Sequence, residues 1–406
     1  MRAYERLLNY VKVWTASDEN SVTVPTSDRQ FDLAHQLVAE MKQLGITDAR
    51  VDEHCYVYGS LPATAGYEDK TKIGFIAHMD TSPDFCGEHV KPQFIENYDG
   101  KDVVLGTSGR TIKVSDFPHL TGLKGRTLIT TDGTTLLGAD DKAGIAEILT
   151  AVEEMLAMDM PHGKLSFAFT PDEEVGTGAA TFDVAEFGAE FGYTLDGWAE
   201  GEIQYENFNA STATFEITGV NVHPGSAKGI MVNAQLVGME LNAMLPTNET
   251  PATTEGYEGF YHLFSSEGTV DHARLVYIVR DHDREIFEKR EVVLQHIAEE
   301  LNEKYGEGTV ELTIKQAYRN MREKIEPCFH LIDNAVAAIK AVGVEPSVAP
   351  IRGGTDGAQL SFKGLPCPNL GTGGYAYHGP FEHTTVEAMD IVVKTVIELV
   401  KIYANA

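Results

Sequence analysis

Five side chains able to ligate a metal stand at turn-like places far apart in the chain: His78, Asp140, Glu174, Asp196 and His378. Each ends or follows an apolar stretch, and three of them lie in the short segments AHMD, GADDKAG and PDEEVG. Nitrogen and oxygen donors without cysteine suit a borderline cation such as zinc, and cobalt or manganese would accept the same set. One carboxylate between two histidine–carboxylate pairs suits two such ions. Two ions acting on one water imply hydrolysis.

Every segment also has a plainer reading. His78 and Asp80 are two residues apart at a strand end, so their side chains share a face. The carboxylate can accept the spare ring N–H of a metal-binding imidazole, or the pair can simply close a strand at the surface. Asp140 and Asp141 open a helix, where an aspartate serves as an N-cap; the alternative for Asp140 is a carboxylate whose two oxygens each meet one cation. Glu173 and Glu174 form a solvated acidic turn, or divide the work into one ligand and one base that moves a proton from water to a leaving amine. Asp196, in YTLDG, is indistinguishable by itself from a turn aspartate. His223, in NVHPGSAKG, is a surface histidine before proline or a donor to an oxyanion. Arg280 and Arg352 offer bidentate forks for a peptide carboxylate, or make structural ion pairs. The stretch RGGTDGAQL can bring backbone close to a substrate. The segment HGPFEH is one residue too long for a zinc-protease helix motif, and its Gly-Pro opposes helix.

The elements that must position these residues follow from periodicity. Lys72–Met79, Lys164–Thr170 and Phe191–Leu195 are short apolar runs expected to be buried strands, and Ala143–Met158 is expected to be a helix. Ser27 and Gln30 have capping-box spacing ahead of an apolar helical face that Gly45 ends. Strands alternating with helices predict an α/β catalytic domain with a largely parallel central sheet flanked by helices. Between Thr212 and Lys315 the order becomes strand, helix, strand, strand, helix, strand, an α+β ferredoxin-like unit inserted into the first pattern. The expected domains are therefore 1–208 and 321–406, building the catalytic body, with 209–320 as a lid or dimerisation domain between them.

Bulk properties narrow the partners. With 32 Lys+Arg against 61 Asp+Glu the formal charge is −29, a field that repels nucleic acid and anionic membrane. The four cysteines, Cys55, Cys86, Cys328 and Cys367, form no Cys-x-x-Cys pair, as expected for reduced thiols in a cytoplasmic protein. No apolar run approaches membrane-spanning length. No Gly-rich phosphate loop follows a strand, which disfavours nucleotide binding.

Taken in order, AHMDTSP, LLGADDKAGIAEI, PDEEVG, YTLDG, GVNVHPGSAKG, RGGTDGAQLS and HGPFEH resemble the aminoacylase and carboxypeptidase-G group of dizinc metallopeptidases over essentially the whole chain. Single motifs are weak, but seven in order are specific, and no ligand position departs from the pattern. The resemblance implies that His78 and Asp196 bind one zinc, that Glu174 and His378 bind a second, and that Asp140 bridges them. It implies Glu173 as general base and acid, Asp80 as the support of His78, His223 as the oxyanion donor, and a cis peptide after Asp140. The implied activity is that of an aminopeptidase releasing the N-terminal residue of tripeptides, with a dipeptidase or N-acyl amino acid deacylase as the alternative on the same scaffold. Arg280 is the first candidate for capturing the substrate's terminal carboxylate. The small lid points to a homodimer formed through that domain.

Overall fold

The computed structural model describes residues 1–106 and 108–406, grouped into two compact units. The first comprises 1–205, 321–349 and 355–406, and the second 206–320 with 350–354.

The first unit is built on an eight-stranded mixed sheet. Its centre is parallel: Leu165–Thr170, Ile73–His78, Phe191–Gly197 and Asn369–Gly371 lie side by side. Antiparallel strands flank this centre, Val57–Leu61 on one side and Glu202–Gln204 on the other, with Arg50–Val51 and Ser347–Val348 at the edges. The runs IGFIAH and LSFAFT are buried at every position, because helices cover both faces and leave no polar side to alternate with. Register decides what comes next. His78 pairs with Thr170, and Ile76 with Thr194, so two residues further on His78 and Asp196 reach the same level. Carboxyl ends of parallel strands therefore deliver His78, Asp196 and the turn after Thr170 to one edge, where open α/β sheets bind ligands.

The helix Ala139–Ala157 packs against two of these strands and against the helices Ala3–Tyr10 and Val386–Asn405. Its sequence, apolar almost all round, suits burial on every side. Gly138 enters it at φ 76°, and Asp140 and Asp141, joined by a cis peptide, depart from helical dihedrals. Regular helix thus starts only after the aspartate pair.

Two features escaped the periodicity. Pro92–Ile95, Leu128–Thr131, His383–Thr385 and Gly374–Tyr375 form a separate four-stranded sheet, beside a core of Tyr98, Val103, Leu105, Ile112, Leu120, Leu123 and Leu128. Strands of two to four residues are too short to show a period. The expected capping box is also replaced. The amide of Gln30 is 3.4 Å from Ser27 Oγ but donates at 2.7 Å to the buried carboxylate of Asp172.

The second unit follows the order read from the sequence: Asn209–Thr218, Ala234–Met244, Phe260–Gly268, His272–Asp281, Arg284–Tyr305 and Val310–Tyr318. Its antiparallel sheet runs 260–268, 272–281, 209–218, 310–318, and both helices contribute to one apolar core. Asn233 and Asp283 cap the helices by accepting from Gln235 and Ile286 N–H. Residues 350–354, read from sequence as part of the catalytic body, cluster with this unit instead. The Ile351 N–H donates to the Glu206 carbonyl at 2.8 Å, and Arg352 donates to the carbonyls of Gly256 and Glu258. Among the described residues no helix is long and apolar enough to cross a membrane.

Phe215, on the central Asn209–Thr218 strand, is fully buried and meets Tyr277 edge-on at 5.9 Å. Phe215→Ala is expected to destabilise the second unit by about 3–5 kcal/mol. Denaturant unfolding followed by tyrosine fluorescence checks this, and an unchanged midpoint would contradict the packing described.

Candidate metal centre

His78 ends its strand almost completely buried. Its Nδ1 lies 3.0 Å from the backbone carbonyl of Asp80 and 3.3 Å from that residue's Oδ1. Both are acceptors, so Nδ1 carries a proton and Nε2 is the nitrogen left to meet a cation. That nitrogen faces Asp140 Oδ1 at 2.9 Å and Asp196 Oδ1 at 3.5 Å. Asp80, wholly buried, does a second job: Oδ1 accepts from Glu173 N–H at 3.0 Å and Oδ2 from Glu174 N–H at 3.2 Å. One carboxylate thus sets both the imidazole and the acidic turn.

His378 approaches from the opposite side, on a loop where it takes φ 62°. Its Nε2 is 2.9 Å from Glu174 Oε2 and 3.4 Å from Asp140 Oδ2. Its Nδ1 is 3.6 Å from Asp84 Oδ2. Asp140 therefore divides its two oxygens between two imidazoles. The other oxygen of Glu174, Oε1, is buried with no hydrogen-bond partner among the described residues.

Two overlapping trios bring their donor atoms within 4.8 Å of one another: His78, Asp140 and Glu174, and His78, Asp141 and Asp196. The second trio has Asp141 where the sequence reading places Asp140. Both oxygens of Asp141 are already engaged, Oδ2 by His78 N–H at 3.1 Å and Oδ1 by Gly144 N–H at 3.2 Å. Asp141 is the helix-start cap, which leaves Asp140 as the donor available to a cation.

The electrostatics match the crowding. Burial, together with Asp140, lifts Glu174 to about 8, and burial with Asp196 lifts Glu173 well above the usual carboxylate range. Burial likewise raises Asp196. Burial works against a charged imidazole at His378, yet Asp140 and Glu174 hold its pKa up at about 11. The carboxyl of Asp140 is depressed by its two histidine neighbours, which outweigh its burial. Acids this close in low dielectric require positive charge among them. Imidazole nitrogens facing several carboxylate oxygens, a buried Glu174 Oε1 without a partner among the described residues and an all-nitrogen-and-oxygen donor set fit divalent cations.

Three buried acids that the sequence reading did not single out support this arrangement. Asp172, at φ 57°, accepts from the backbone and hydroxyl of Thr26 and from Gln30, tying the N-terminal loop to the acidic turn. Asp356 accepts from the Thr170 hydroxyl at 2.8 Å, and burial lifts it to about 7. Glu382 accepts from three backbone amides, those of Leu137, Gly138 and Asp140. None belongs to a periodic pattern; Asp172 lies among the acids of PDEEVG, Asp356 in RGGTDGAQL and Glu382 in HGPFEH, so residue type alone carried no signal for them.

His223, Arg280 and Arg352 lie in the second unit. His223 is exposed, and its Nδ1 accepts from Gly225 N–H. Arg352 donates to the carbonyls of Thr254, Gly256 and Glu258, so it holds a turn. Arg280 donates to the Arg352 carbonyl at 3.0 Å and lies over the rings of Phe260 and Tyr318, while its Nε has no partner among the described residues.

Residues 205–309 match a family model described as a peptidase dimerisation domain. Peptidase T of Caldanaerobacter subterraneus subsp. tengcongensis is 52% identical over 406 residues, covering 100% of this chain and 99% of its own. Among solved structures, aminopeptidase PepT from Bacillus cereus superposes with a TM-score of 0.79 at 23% identity, covering 100% and 98% of the two chains. The YXEP protein of Bacillus subtilis, titled a dinuclear metal-binding peptidase of the M20 family, gives 0.67 at 14% identity, covering 100% and 99%.

Metal binding to the folded state alone raises stability by RT ln(1 + [L]/Kd), about 2.7 kcal/mol at a hundredfold excess over Kd. Chelator-treated protein is expected to melt several degrees higher after zinc or cobalt is restored. The same addition should leave Asp140→Asn nearly unmoved in a thermal-shift measurement.

Proposed function

Because this chain belongs to the peptidase T family, we propose that it is a metallo-aminopeptidase that hydrolyses tripeptides and releases their N-terminal residue. The observation that carries the reading is the Asp140 carboxylate, split between the imidazoles of His78 and His378 with Asp196 and Glu174 beside them. His78 and Asp196 would hold one divalent cation, Glu174 and His378 another, and Asp140 both; zinc is the first choice, with cobalt or manganese as substitutes. When bound, such a pair supplies Lewis acidity toward the scissile carbonyl and lowers the pKa of water.

The chain's own residues account for the proton. Glu173 shares the acidic turn with Glu174, and its backbone is fixed by Asp80. Burial lifts its carboxyl well above the usual range, toward a base that can also act as an acid near neutrality. In this reading Glu173 takes a proton from the water that adds to the carbonyl carbon. It returns that proton to the amine as the C–N bond breaks, leaving a free amino acid and a dipeptide. His223 keeps the part of donor to the developing oxyanion. Arg280, with an unpartnered Nε, is the better of the two arginines for the substrate's carboxylate, since Arg352 is committed to loop carbonyls.

A homodimer through the second unit is supported by its match to a peptidase dimerisation domain and by exposed Leu236, Met239 and Phe264. The reduced cysteines and the strongly acidic composition favour a cytoplasmic location and a small peptide substrate.

Glu173→Gln is expected to lower kcat by about 10²–10⁴ while metal content and KM stay near wild type. Full turnover in that variant would remove Glu173 from the mechanism. A panel of di-, tri- and tetrapeptides beside N-acyl amino acids tests the substrate class; preferred cleavage of the acyl compounds would favour a deacylase. Met239→Lys is expected to convert dimer to monomer in light scattering, and an unaltered mass would dissociate that face from assembly.

A further inference from the structure

Glu382 lies four residues beyond His378 and is almost completely buried. Its Oε2 accepts from Leu137 N–H at 2.6 Å and Gly138 N–H at 2.8 Å, and its Oε1 from Asp140 N–H at 3.0 Å. Three amides converge on one carboxylate because Gly138 takes φ 76°, turning successive N–H groups toward one concavity, the kind of backbone arrangement that binds anions. The amide of Glu382 itself donates to the Gly379 carbonyl at 3.2 Å, which closes the turn carrying His378. Its neighbour His383 is fixed as well, with Nε2 2.9 Å from His119 Nε2 and Nδ1 2.7 Å from the Phe381 carbonyl. Glu382 is thus rigid at its own end and grips the loop that presents Asp140 at the other.

We propose that Glu382 is a positioning residue that locks the Asp140 loop to the His378 loop, so that the two oxygens of Asp140 stay aimed at two different imidazoles. The proposal rests on the dinuclear reading above. Its reason is geometric. Asp140 sits at 2.9 Å from His78 and 3.4 Å from His378 through different oxygens, and a displacement of its backbone by about 1 Å is enough to spoil productive geometry. The side-chain contacts of Asp140 act on its carboxylate, whereas Glu382 holds its backbone amide directly. An acid suits the task because three N–H donors leave no place for a second donor group: glutamine would turn an NH₂ toward at least one of them.

The test uses the full chain, wild type against Glu382→Gln and Glu382→Asp, the latter keeping the charge but one methylene short. In metal-stripped protein, hydrogen exchange at Leu137, Gly138 and Asp140 is expected to accelerate in Glu382→Gln. After zinc is restored, one of the two ions should bind about 10–100-fold more weakly. The visible spectrum of the cobalt form should change, and kcat for a tripeptide should fall with KM within about twofold. Glu382→Asp should lie between, and it decides by the same readouts if Glu382→Gln fails to fold. Two ions held at wild-type affinity with an unchanged cobalt spectrum would overturn the proposal, leaving Glu382 a purely structural acid. Wild-type protein that takes up no metal would sink the underlying reading, and the proposal with it.

Discussion

Carboxylates crowded round two imidazoles are the constraint on which the rest of the first unit depends. His78 Nε2 stands 2.9 Å from Asp140 Oδ1. His378 Nε2 and Glu174 Oε2 repeat that distance. Buried acids so close repel one another unless positive charge lies between them, and a proton on each ring neutralises only part of a cluster that includes Asp80, Asp140, Glu174 and Asp196. The fold accordingly spends buried acids and backbone amides on holding these groups together. Asp80 fixes the Glu173–Glu174 turn, Asp172 anchors that turn to the N-terminal loop, and Glu382 grips the approach to Asp140.

Much of this was legible in the chain because type and spacing already imposed it. The buried strands read as unbroken apolar runs, and their ends named His78 and the acidic turn. The inserted unit showed itself by a switch to the order strand, helix, strand, strand, helix, strand. Of the adjacent pair, the sequence favours Asp141 as the cap and Asp140 as the shared carboxylate, and the backbone N–H groups of His78 and Gly144 do bond to Asp141.

What stayed hidden has a common cause. Asp172, Asp356 and Glu382 act on backbone amides or hydroxyls brought near by folding, and such partners leave no trace in residue type. Glu382 was in plain sight in HGPFEH, a segment that matched no helical zinc motif, and its partners lie more than 240 residues earlier. Gln30 shows the same effect in reverse: local spacing suggested a bond to Ser27, and a distant buried carboxylate, Asp172, took it instead. The strands at 92–95 and 374–375 were missed because so few residues carry no period, and 350–354 because hydrogen bonds to Glu206 and the 254–258 turn outweighed chain order.

The contact between Glu382 and the Asp140 loop spans 242 residues. A chain made from its N-terminus presents His78, Asp140, Glu174 and Asp196 long before His378 and Glu382 emerge. A nascent chain can gather those first four groups, but it cannot close the loop that pairs them with the last imidazole. The approach of Asp140 to its second imidazole is thereby deferred to the final stage of synthesis.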